Sequence, residues 1–336
     1  MKQSIEELRE KRRLQREVGE LRQQLSDVLR VSERLEAERN VLLKVYAPQT
    51  FKIKPLKGGD SQATAFIIAS DWHIEELVEK ETVSGLNEYN LKIARKRAKR
   101  FFQSSHRLLQ ITSRDTRITT VVLALLGDFL SGYIHEELQE NNQLAPGRAI
   151  WEAQNLLASG IEFLLANTEF NFVLPCHSGN HGRLTEKTRF ATEQGNSLEV
   201  YMYKNLAAHF AGNPRVKFLI AGGYHSYMDV YGYTVCFHHG HAVKYQGGVG
   251  GIYIPINKAI AQWNKARNAD LYVQGHYHQF RDGGNFICNG SLIGYNPYAL
   301  SIKADFEGPK QAFFLINGHG KVAPFGKGIV APIRVE

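Results

Sequence analysis

The chain has 336 residues, of which 43% are apolar and 11% aromatic, so it can bury a sizeable core and is not a disordered chain. A net charge of +8 favours polyanionic partners, nucleic acid or anionic lipid, without deciding between them. Three scattered cysteines exclude a disulfide framework, and no apolar run approaches the ~20 residues that span a bilayer. The N-terminus is charged and lacks an apolar signal core, so we expect a soluble, cytoplasmic protein with no membrane partner.

Residues 1–46 contain no proline and one glycine, and they are rich in Glu, Arg, Gln and Leu. Seven positions follow the spacing of a coiled-coil seam, in steps of four and three: Leu14, Val18, Leu21, Leu25, Val28, Ser32 and Leu35. The pattern predicts a helical arm of ~40 residues, ~60 Å long. A polar helix with one narrow apolar stripe needs a partner. Self-association, most simply as a dimer, is therefore favoured over a helix folded back on its own domain.

Residues 47–64 have the composition of a linker, with Pro48, Pro55 and a Gly-Gly-Asp-Ser run, and Phe51–Ile53 is a candidate short strand. The arm holds eleven basic and nine acidic residues among positions 1–45, so a charge of +6 remains on the rest of the chain. We expect the main domain to occupy residues 65–336.

From Ala65 onward, short strand-like apolar segments repeatedly end at a side chain that can bind a metal. Five segments do so, and their endings are Asp71-Trp72-His73, Gly127-Asp128, Ser178-Gly179-Asn180-His181, His238-His239-Gly240-His241 and Gly275-His276-Tyr277-His278. Helical stretches are predicted at roughly Asn90–Thr112, Arg148–Ala166 and Leu198–Phe210. This order predicts an α/β sandwich whose strand ends meet at one rim, where such folds bind ligands.

The ordered set Asp-x-His, Gly-Asp, Gly-Asn-His, His-Gly and Gly-His-x-His resembles that of the calcineurin-like metallophosphoesterase superfamily, over about Ala65 to Ser291. The resemblance implies a four-layer α/β/β/α sandwich with two metal ions at its edge. It also implies that Asp71, His73, Asp128 and His278 hold the first ion. Asp128 would bridge to a second ion held by Asn180, His239 and His276, and His181 would be the catalytic histidine.

Elementary chemistry agrees with these roles. Two cations about 3.5–4 Å apart clamp phosphate oxygens and lower the pKa of a bridging water. The mixed nitrogen and oxygen ligands suit Mn²⁺, Fe or Zn²⁺ and do not distinguish them, whereas thiolates are missing from the set. Of the three, we favour Mn²⁺. His181 would stabilise the phosphate charge and protonate the leaving oxygen.

The pattern departs from the family at several positions. Gly182 stands where many relatives carry an acid after the catalytic histidine, and Ser131 stands where they carry an acidic or amide residue. Another residue must therefore orient His181. Ser178 and Gly182 also disfavour the protein Ser/Thr phosphatase branch. Among the neighbouring histidines, His239 fits the His-Gly step and His238 faces the other side of the strand.

Two basic segments bear on the substrate. One has six cations in nine residues of a predicted helix, and the other follows His181; they are Lys92, Arg95, Lys96, Arg97, Lys99 and Arg100, and Arg183, Lys187 and Arg189. The first is either a solvated face or a track for phosphates, and the second is a candidate substrate-binding set. The insertion Phe129–Gly147 is long enough to wall one side of the site, but its His135-Glu136-Glu137 lacks a second spaced histidine.

These features favour a phosphodiesterase acting on DNA, similar to the repair-nuclease branch of the superfamily. Residues 292–336 are too few for the separate capping domain usual in that branch. Two alternatives stay open: a phosphatase or phosphodiesterase acting on small molecules such as nucleotides, and a non-catalytic scaffold.

Overall fold

A computed structural model describes residues 15, 18–30, 32–33, 51–53, 61–245, 247–248, 250–318 and 326–336. The chain divides into two units, Met1–Gln49 and Thr50–Glu336. In the first, residues 18–30 are helical (α1), and the seam positions Val18, Leu21, Leu25 and Val28 are exposed. Leu14 and Leu35 lie outside the described residues, so the coiled coil and the dimer remain predictions.

The second unit contains, among its described residues, two six-stranded sheets. The first sheet has the order β12-β11-β2-β3-β4-β5, with β2 Gln62–Ala69, β3 Arg117–Leu125, β4 Asn171–Cys176, β5 Val216–Ile220, β11 Lys310–Asn317 and β12 Gly326–Arg334. The second has the order β1-β6-β7-β8-β10-β9, with β1 Phe51–Ile53, β6 Ser226–Val230, β7 Tyr233–Phe237, β8 Leu271–Gln274, β9 Arg281–Asp282 and β10 Phe286–Cys288. The candidate strand Phe51–Ile53 is thus β1 and pairs with β6, whereas residues 47–50 and 54–60 of the predicted linker lie outside the described part.

Helices flank the sheets. The larger ones are α2 Leu91–Thr112, α4 Pro146–Asn167, α5 Leu198–His209 and α6 Tyr253–Trp263, and the shorter ones are α3 Glu136–Asn141 and α7 Pro297–Ser301. Two of the larger helices begin at clear signals: the Asn90 side chain caps α2 by accepting from Ile93 N, and Pro146 opens α4. None of the described helices is long and apolar enough to cross a lipid bilayer.

Three apolar clusters separate four layers. Helices α2, α4 and α5 pack on the outer face of the first sheet, the inner faces of the two sheets pack together, and α6 packs on the outer face of the second sheet. Strand β2 shows the alternation directly, because Ala65 and Ile67 face the helices while Phe66 and Ile68 face the other sheet. Both faces are covered, which explains why β2 is apolar over most of its length. The predicted α/β/β/α sandwich is confirmed.

The topology brings five strand ends together. Strands β2, β3 and β4 are parallel neighbours in the first sheet, and β7 and β8 are parallel neighbours in the second. All five precede the loops that carry the predicted ligands. Residues after the last motif complete the first sheet, since β11 pairs antiparallel with β2 and β12 pairs with β11.

Candidate metal centre

The loops after β2, β3, β4, β7 and β8 form one cluster of metal-competent side chains. Three groups have ligand atoms within 4.8 Å of one another, and they are Asp71, His73 and His278; His73, Asp128 and His181; and Asp128, His239 and His276. The groups share His73 and Asp128, so they are continuous. Asp128 groups with His73 of the first ligand set that the family resemblance implies and with His239 and His276 of the second, and His181 joins the middle group.

The ligand atoms converge closely. In the first group, His73 Nε2 and His278 Nε2 lie 3.2 Å apart, and His278 Nε2 is 3.6 Å from an Asp71 carboxylate oxygen. In the second, His239 Nε2 is 2.8 Å from Asp128 Oδ2, while the other Asp128 oxygen accepts from the His181 backbone N–H. Two imidazole nitrogens that face each other at 3.2 Å are well placed to share one cation.

Hydrogen bonds at Nδ1 fix which ring nitrogen each histidine presents. His239 Nδ1 lies 2.6 Å from the Leu126 carbonyl, and His181 Nδ1 lies 2.8 Å from the Ser131 carbonyl. A carbonyl only accepts, so both Nδ1 atoms carry a proton, and Nε2 is the atom that each ring directs at the cluster. His73 Nδ1 is 2.9 Å from Ser131 Oγ, whose hydroxyl donates to Glu76. His73 therefore also presents Nε2.

The backbone at the cluster is unusual. Five candidate ligands that are not glycine have left-handed φ angles between 46° and 74°: Asp71, His73, Asp128, His276 and His278. Such conformations cost energy and concentrate at functional sites. Close approach explains two of the motif glycines, because a Cβ at Gly179 would overlap the Asp128 carboxylate and one at Gly275 would overlap that of Asp71.

Burial controls the charges of the cluster. It lowers the pKa of His278 to about 3 and that of His73 and His276 well below the usual value, so these imidazoles are neutral and able to bind a metal. Burial also raises the pKa of Asp71 to about 7. At His239, burial lowers the pKa, but the adjacent Asp128 carboxylate outweighs it and raises the value to about 10. These shifts describe the protein without metal, where proton and cation compete.

The residues fit divalent cations. Asn180 Oδ1 is buried and has no hydrogen-bond partner among the described residues, which is normally costly. A cation bound by Asn180 would satisfy this atom. The nitrogen and oxygen donors suit Mn²⁺, Fe and Zn²⁺ alike, so the donor set does not distinguish these metals.

The loop that contains Ser131 orients His181. Its carbonyl accepts from His181, its N–H donates to Glu75 at 2.8 Å, and its hydroxyl donates to Glu76 at 2.9 Å. Glu75 and Glu76 are both buried, and their hydrogen bonds to Ser131 fix the position of the carbonyl that orients His181. A backbone group, supported by two acids, takes the place of the expected acidic side chain.

The space left by Gly182 is occupied by Glu199 of α5. A Cβ at Gly182 would lie 2.8 Å from Glu199 Cγ. The Glu199 carboxylate accepts from Phe129 N at 2.7 Å and from Gly179 N at 2.6 Å, so it joins the loop that carries Asp128 to the loop that carries Asn180. Sequence reasoning identified the missing acid but did not predict that α5 supplies an acid that joins these two loops.

The predicted substrate-binding cations behave differently from one another. Arg183 donates from all three guanidinium nitrogens to carbonyls of its own loop, those of Asn180, Thr185 and Glu186. Lys187 and Arg189 are exposed.

On α2, Arg95 pairs with Glu152 at 2.6 Å, and Arg97 is buried against the carbonyls of Leu292 and Ile293. Lys92, Lys96, Lys99 and Arg100 are exposed.

The neighbouring histidines occupy two further environments. His238 is buried on the far side of β7 among the rings of Tyr224, His225 and Trp263. His241 is buried near the second group, 3.7 Å from Glu193. Sequence reasoning assigned no role to His135, yet its ring centroid lies 6.2 Å from that of His181. A lone histidine in a polar insertion gives no local signal of that proximity.

Comparison with known proteins does not assign the chain to a family. No family model and no curated protein matches the chain. Among solved structures, the chain is similar to the Thermus thermophilus sulfate thiohydrolase SoxB in complex with glycerol, with 10% identity and a TM-score of 0.32 over 84% of this chain and 57% of SoxB. It is also similar to Chaetomium thermophilum Vps29, with 8% identity and a TM-score of 0.29 over 80% of this chain and 95% of Vps29. The chain thus spans little more than half of the SoxB structure, and the fold assignment rests on the sheets and helices themselves.

Proposed function

We propose that the protein is a metal-dependent phosphoesterase of the calcineurin-like superfamily, with two divalent ions, Mn²⁺ favoured. The observation that carries the proposal is the continuous cluster of three ligand groups, centred on Asp128, at the carboxyl ends of five parallel strands. Asp71, His73 and His278 would hold one ion, Asn180, His239 and His276 the other, and Asp128 both. When bound, such a pair neutralises phosphate oxygens and activates a water near neutral pH.

His181 would act on the leaving group. The Ser131 carbonyl holds its Nδ1–H, so Nε2 is the atom available to the substrate. Protonated at Nε2, the ring would stabilise negative charge on the phosphate and give its proton to the departing oxygen. General-acid help of this kind contributes typically 10²–10⁴-fold to the rate.

For the substrate, we propose a phosphodiester and favour DNA. The positive charge outside the arm, the four exposed cations of α2 and the exposed Lys187 and Arg189 support a polyanion. Arg95 and Arg97 do not add to that support, because their charges serve contacts within the protein. A second candidate, a small phosphate ester such as a nucleotide, is favoured by a cavity of about 400 Å³ beside His181.

The test uses full-length protein, stripped with chelator and reloaded with Mn²⁺. We expect Mn²⁺-dependent hydrolysis of bis(p-nitrophenyl) phosphate and of DNA, abolished in Asp128→Asn and retained in Asp115→Asn, an exposed control. If no phosphate ester is hydrolysed, the proposed function is wrong. If a monoester is hydrolysed while single- and double-stranded DNA stay intact, the proposal that DNA is the substrate is wrong, and the small phosphate ester remains as the candidate substrate.

The His181→Ala variant tests the division of roles. We expect it to keep the Mn²⁺-dependent rise in thermal midpoint and to lose about 10²–10⁴-fold in turnover of an alkyl ester, with a smaller loss for a p-nitrophenyl ester, whose leaving group needs no proton. A metal response that disappears in this variant would instead make His181 a ligand.

A further inference from the structure

The cavity beside His181 is a separate feature of the site. Its wall is largely apolar, with Leu130, Tyr133, Ile134, Leu184 and Leu198, and His181 and Arg183 supply polar atoms. Its volume of about 400 Å³ lies within the range of sites that bind small molecules. Tyr133 and Leu184 are 47% and 65% exposed, so the cavity opens to solvent at its mouth.

The Arg183 side of this cavity is rigid. The guanidinium donates to Asn180 O at 2.7 Å, to Thr185 O at 3.1 Å and to Glu186 O at 3.2 Å, which fixes the plane of the group. Three of its five in-plane N–H donors are used within the loop, and these bonds do not occupy its flat faces. A fixed guanidinium stacks well on a flat aromatic ring.

The position of the cavity assigns it to one part of the substrate. His181 belongs to the metal-competent cluster and also lines the cavity. If His181 protonates the leaving oxygen, that oxygen lies next to the cavity that His181 lines, and the cavity can receive the rest of the leaving group. A second cavity of about 310 Å³ lies beside His276 of the other ligand set, and it is also lined by His241, Lys244 and Tyr245.

On this basis, and resting on the proposed function, we propose that the cavity formed by Leu130, Tyr133, Ile134 and Arg183 binds the base of a nucleoside leaving group. A base offers a flat, uncharged ring for the Arg183 face and the apolar wall. Its polar edge can reach Glu186 at the mouth of the cavity, which an alkyl chain could not use. The nucleoside can belong to a mononucleotide or to a single-stranded nucleic acid, since both present an unpaired base.

The experiment compares substrates that share the reacting phosphate and the leaving alkoxide and differ only in the base. The pairs are thymidine 5′-phosphate with 1,2-dideoxyribose 5-phosphate, which has hydrogen in place of the base, and a thymidine dinucleotide with its abasic analogue of the same kind. For the pair that is hydrolysed, we expect kcat/KM to be at least roughly tenfold higher with the base. The ratio should fall toward one in Tyr133→Ala and in Ile134→Ala, and it should not change in Ile329→Ala, a matched exposed control on β12.

A binding measurement without metal gives a second readout. Thymidine should bind the metal-free protein saturably in calorimetry, and Tyr133→Ala should weaken that binding. Hydrolysis that is equal with and without a base would overturn the inference while leaving the phosphoesterase proposal intact. A base preference that is unchanged in both variants would also overturn it.

The remaining outcomes separate the inference from the proposed function. If no ester is hydrolysed at all, thymidine binding that disappears in Tyr133→Ala supports the inference, and no binding at millimolar thymidine refutes it. A preference confined to the mononucleotide pair, or to the dinucleotide pair, supports the inference and identifies the source of the base.

Discussion

At the scale of single residues, the candidate site depends on acids that do not belong to the predicted ligand set. Glu75 and Glu76 fix the Ser131 loop, and Glu199 ties the Asp128 loop to the Gly179 loop. All three are buried, and they accept hydrogen bonds from backbone N–H groups, from the Ser131 hydroxyl and, at Glu76, from the Asn296 side-chain amide. They position His181 and the ligands by holding backbone, so their removal would change geometry as well as charge.

Gly182→Ala tests the Glu199 contact. The new Cβ would lie 2.8 Å from Glu199 Cγ and 3.1 Å from Cδ, so the side chain must shift and weaken two bonds to buried N–H groups. We expect the free energy of unfolding to fall by about 1–3 kcal/mol and the Mn²⁺ affinity to fall with it. Gly147→Ala is the control, because nothing lies within 4 Å of its Cβ and it sits in α4, where alanine adds about 0.5–1 kcal/mol. Equal stability of the two variants in urea titrations would rule out the role given to Glu199.

At the scale of elements, helix α2 shows that a run of cations divides by helical face. Arg97 points inward and satisfies two carbonyls after the last motif, Arg95 pairs with α4, and four cations remain in solvent. Within this run, only the exposed four are available to a nucleic acid. Any test of the phosphate track must leave Arg95 and Arg97 unchanged, since Arg97 is structural.

Reversing Lys92, Lys96, Lys99 and Arg100 to Glu should weaken DNA binding and flatten its dependence on salt, by about 0.9 in log–log slope for each duplex phosphate that is no longer neutralised. The control reverses four other exposed cations, Arg107, Arg114, Lys204 and Lys258. Binding titrations between low and moderate salt measure both. A slope that is unchanged in the α2 variant would make that face ordinary solvated surface.

Helix α1 allows a test of self-association. Its exposed Leu21 and Leu25 lie on the predicted seam, so the double change Leu21→Glu, Leu25→Glu should reduce the mass in light scattering to that of one chain. Deletion of residues 1–46 should do the same, whereas Gln23→Glu with Ser26→Glu, off the seam, should not. If light scattering gives the same number of chains per particle before and after the deletion, the arm does not form a dimer.

At the scale of the whole molecule, buried ionisable groups link folding to pH and metal. Burial raises the pKa of Glu75 and Glu199 to about 8 and that of Asp71 to about 7, so the folded protein holds these protons to higher pH than the unfolded chain. Their contribution to stability is therefore lost as the pH rises toward 8. The buried imidazoles act oppositely, because their lowered pKa values make stability rise with pH up to about the unperturbed value of 6.5.

Above pH 6.5, the carboxyl groups dominate the dependence of stability on pH. His239 acts in the same direction, because its raised pKa means that the folded protein holds this proton to higher pH than the unfolded chain. We expect the free energy of unfolding in chelator to fall between pH 6.5 and 8, measured by urea titration. Glu75→Gln should reduce this slope, and Glu81→Gln, an exposed control, should not. Added Mn²⁺ should stabilise more at pH 8 than at pH 6.5, because the cation displaces protons from the cluster. A Mn²⁺ effect that is independent of pH would contradict this competition.

Local sequence patterns predicted β1, the five strands that precede the ligand loops, the order of the ligand motifs and an α/β sandwich, whereas the four layers followed from the family resemblance. The short apolar segments and their abrupt change to Asp, Asn or His are properties of neighbours along the chain, so they can be read without the fold. The family resemblance then supplied a division of ligands between two ions, and Asp128 shares a side-chain group with members of both sets.

Only the tertiary structure decided what surrounds those side chains. The orientation of His181 by the Ser131 carbonyl, the inward direction of Arg97, the proximity of His135 to His181 and the cavity beside His181 all join residues that are far apart in the chain. Such contacts depend on how helices pack on the sheets and where long loops return, and no local period encodes that geometry. The sequence thus specified the donors of the site, whereas the packing specified their orientation and the shape of the space beside them.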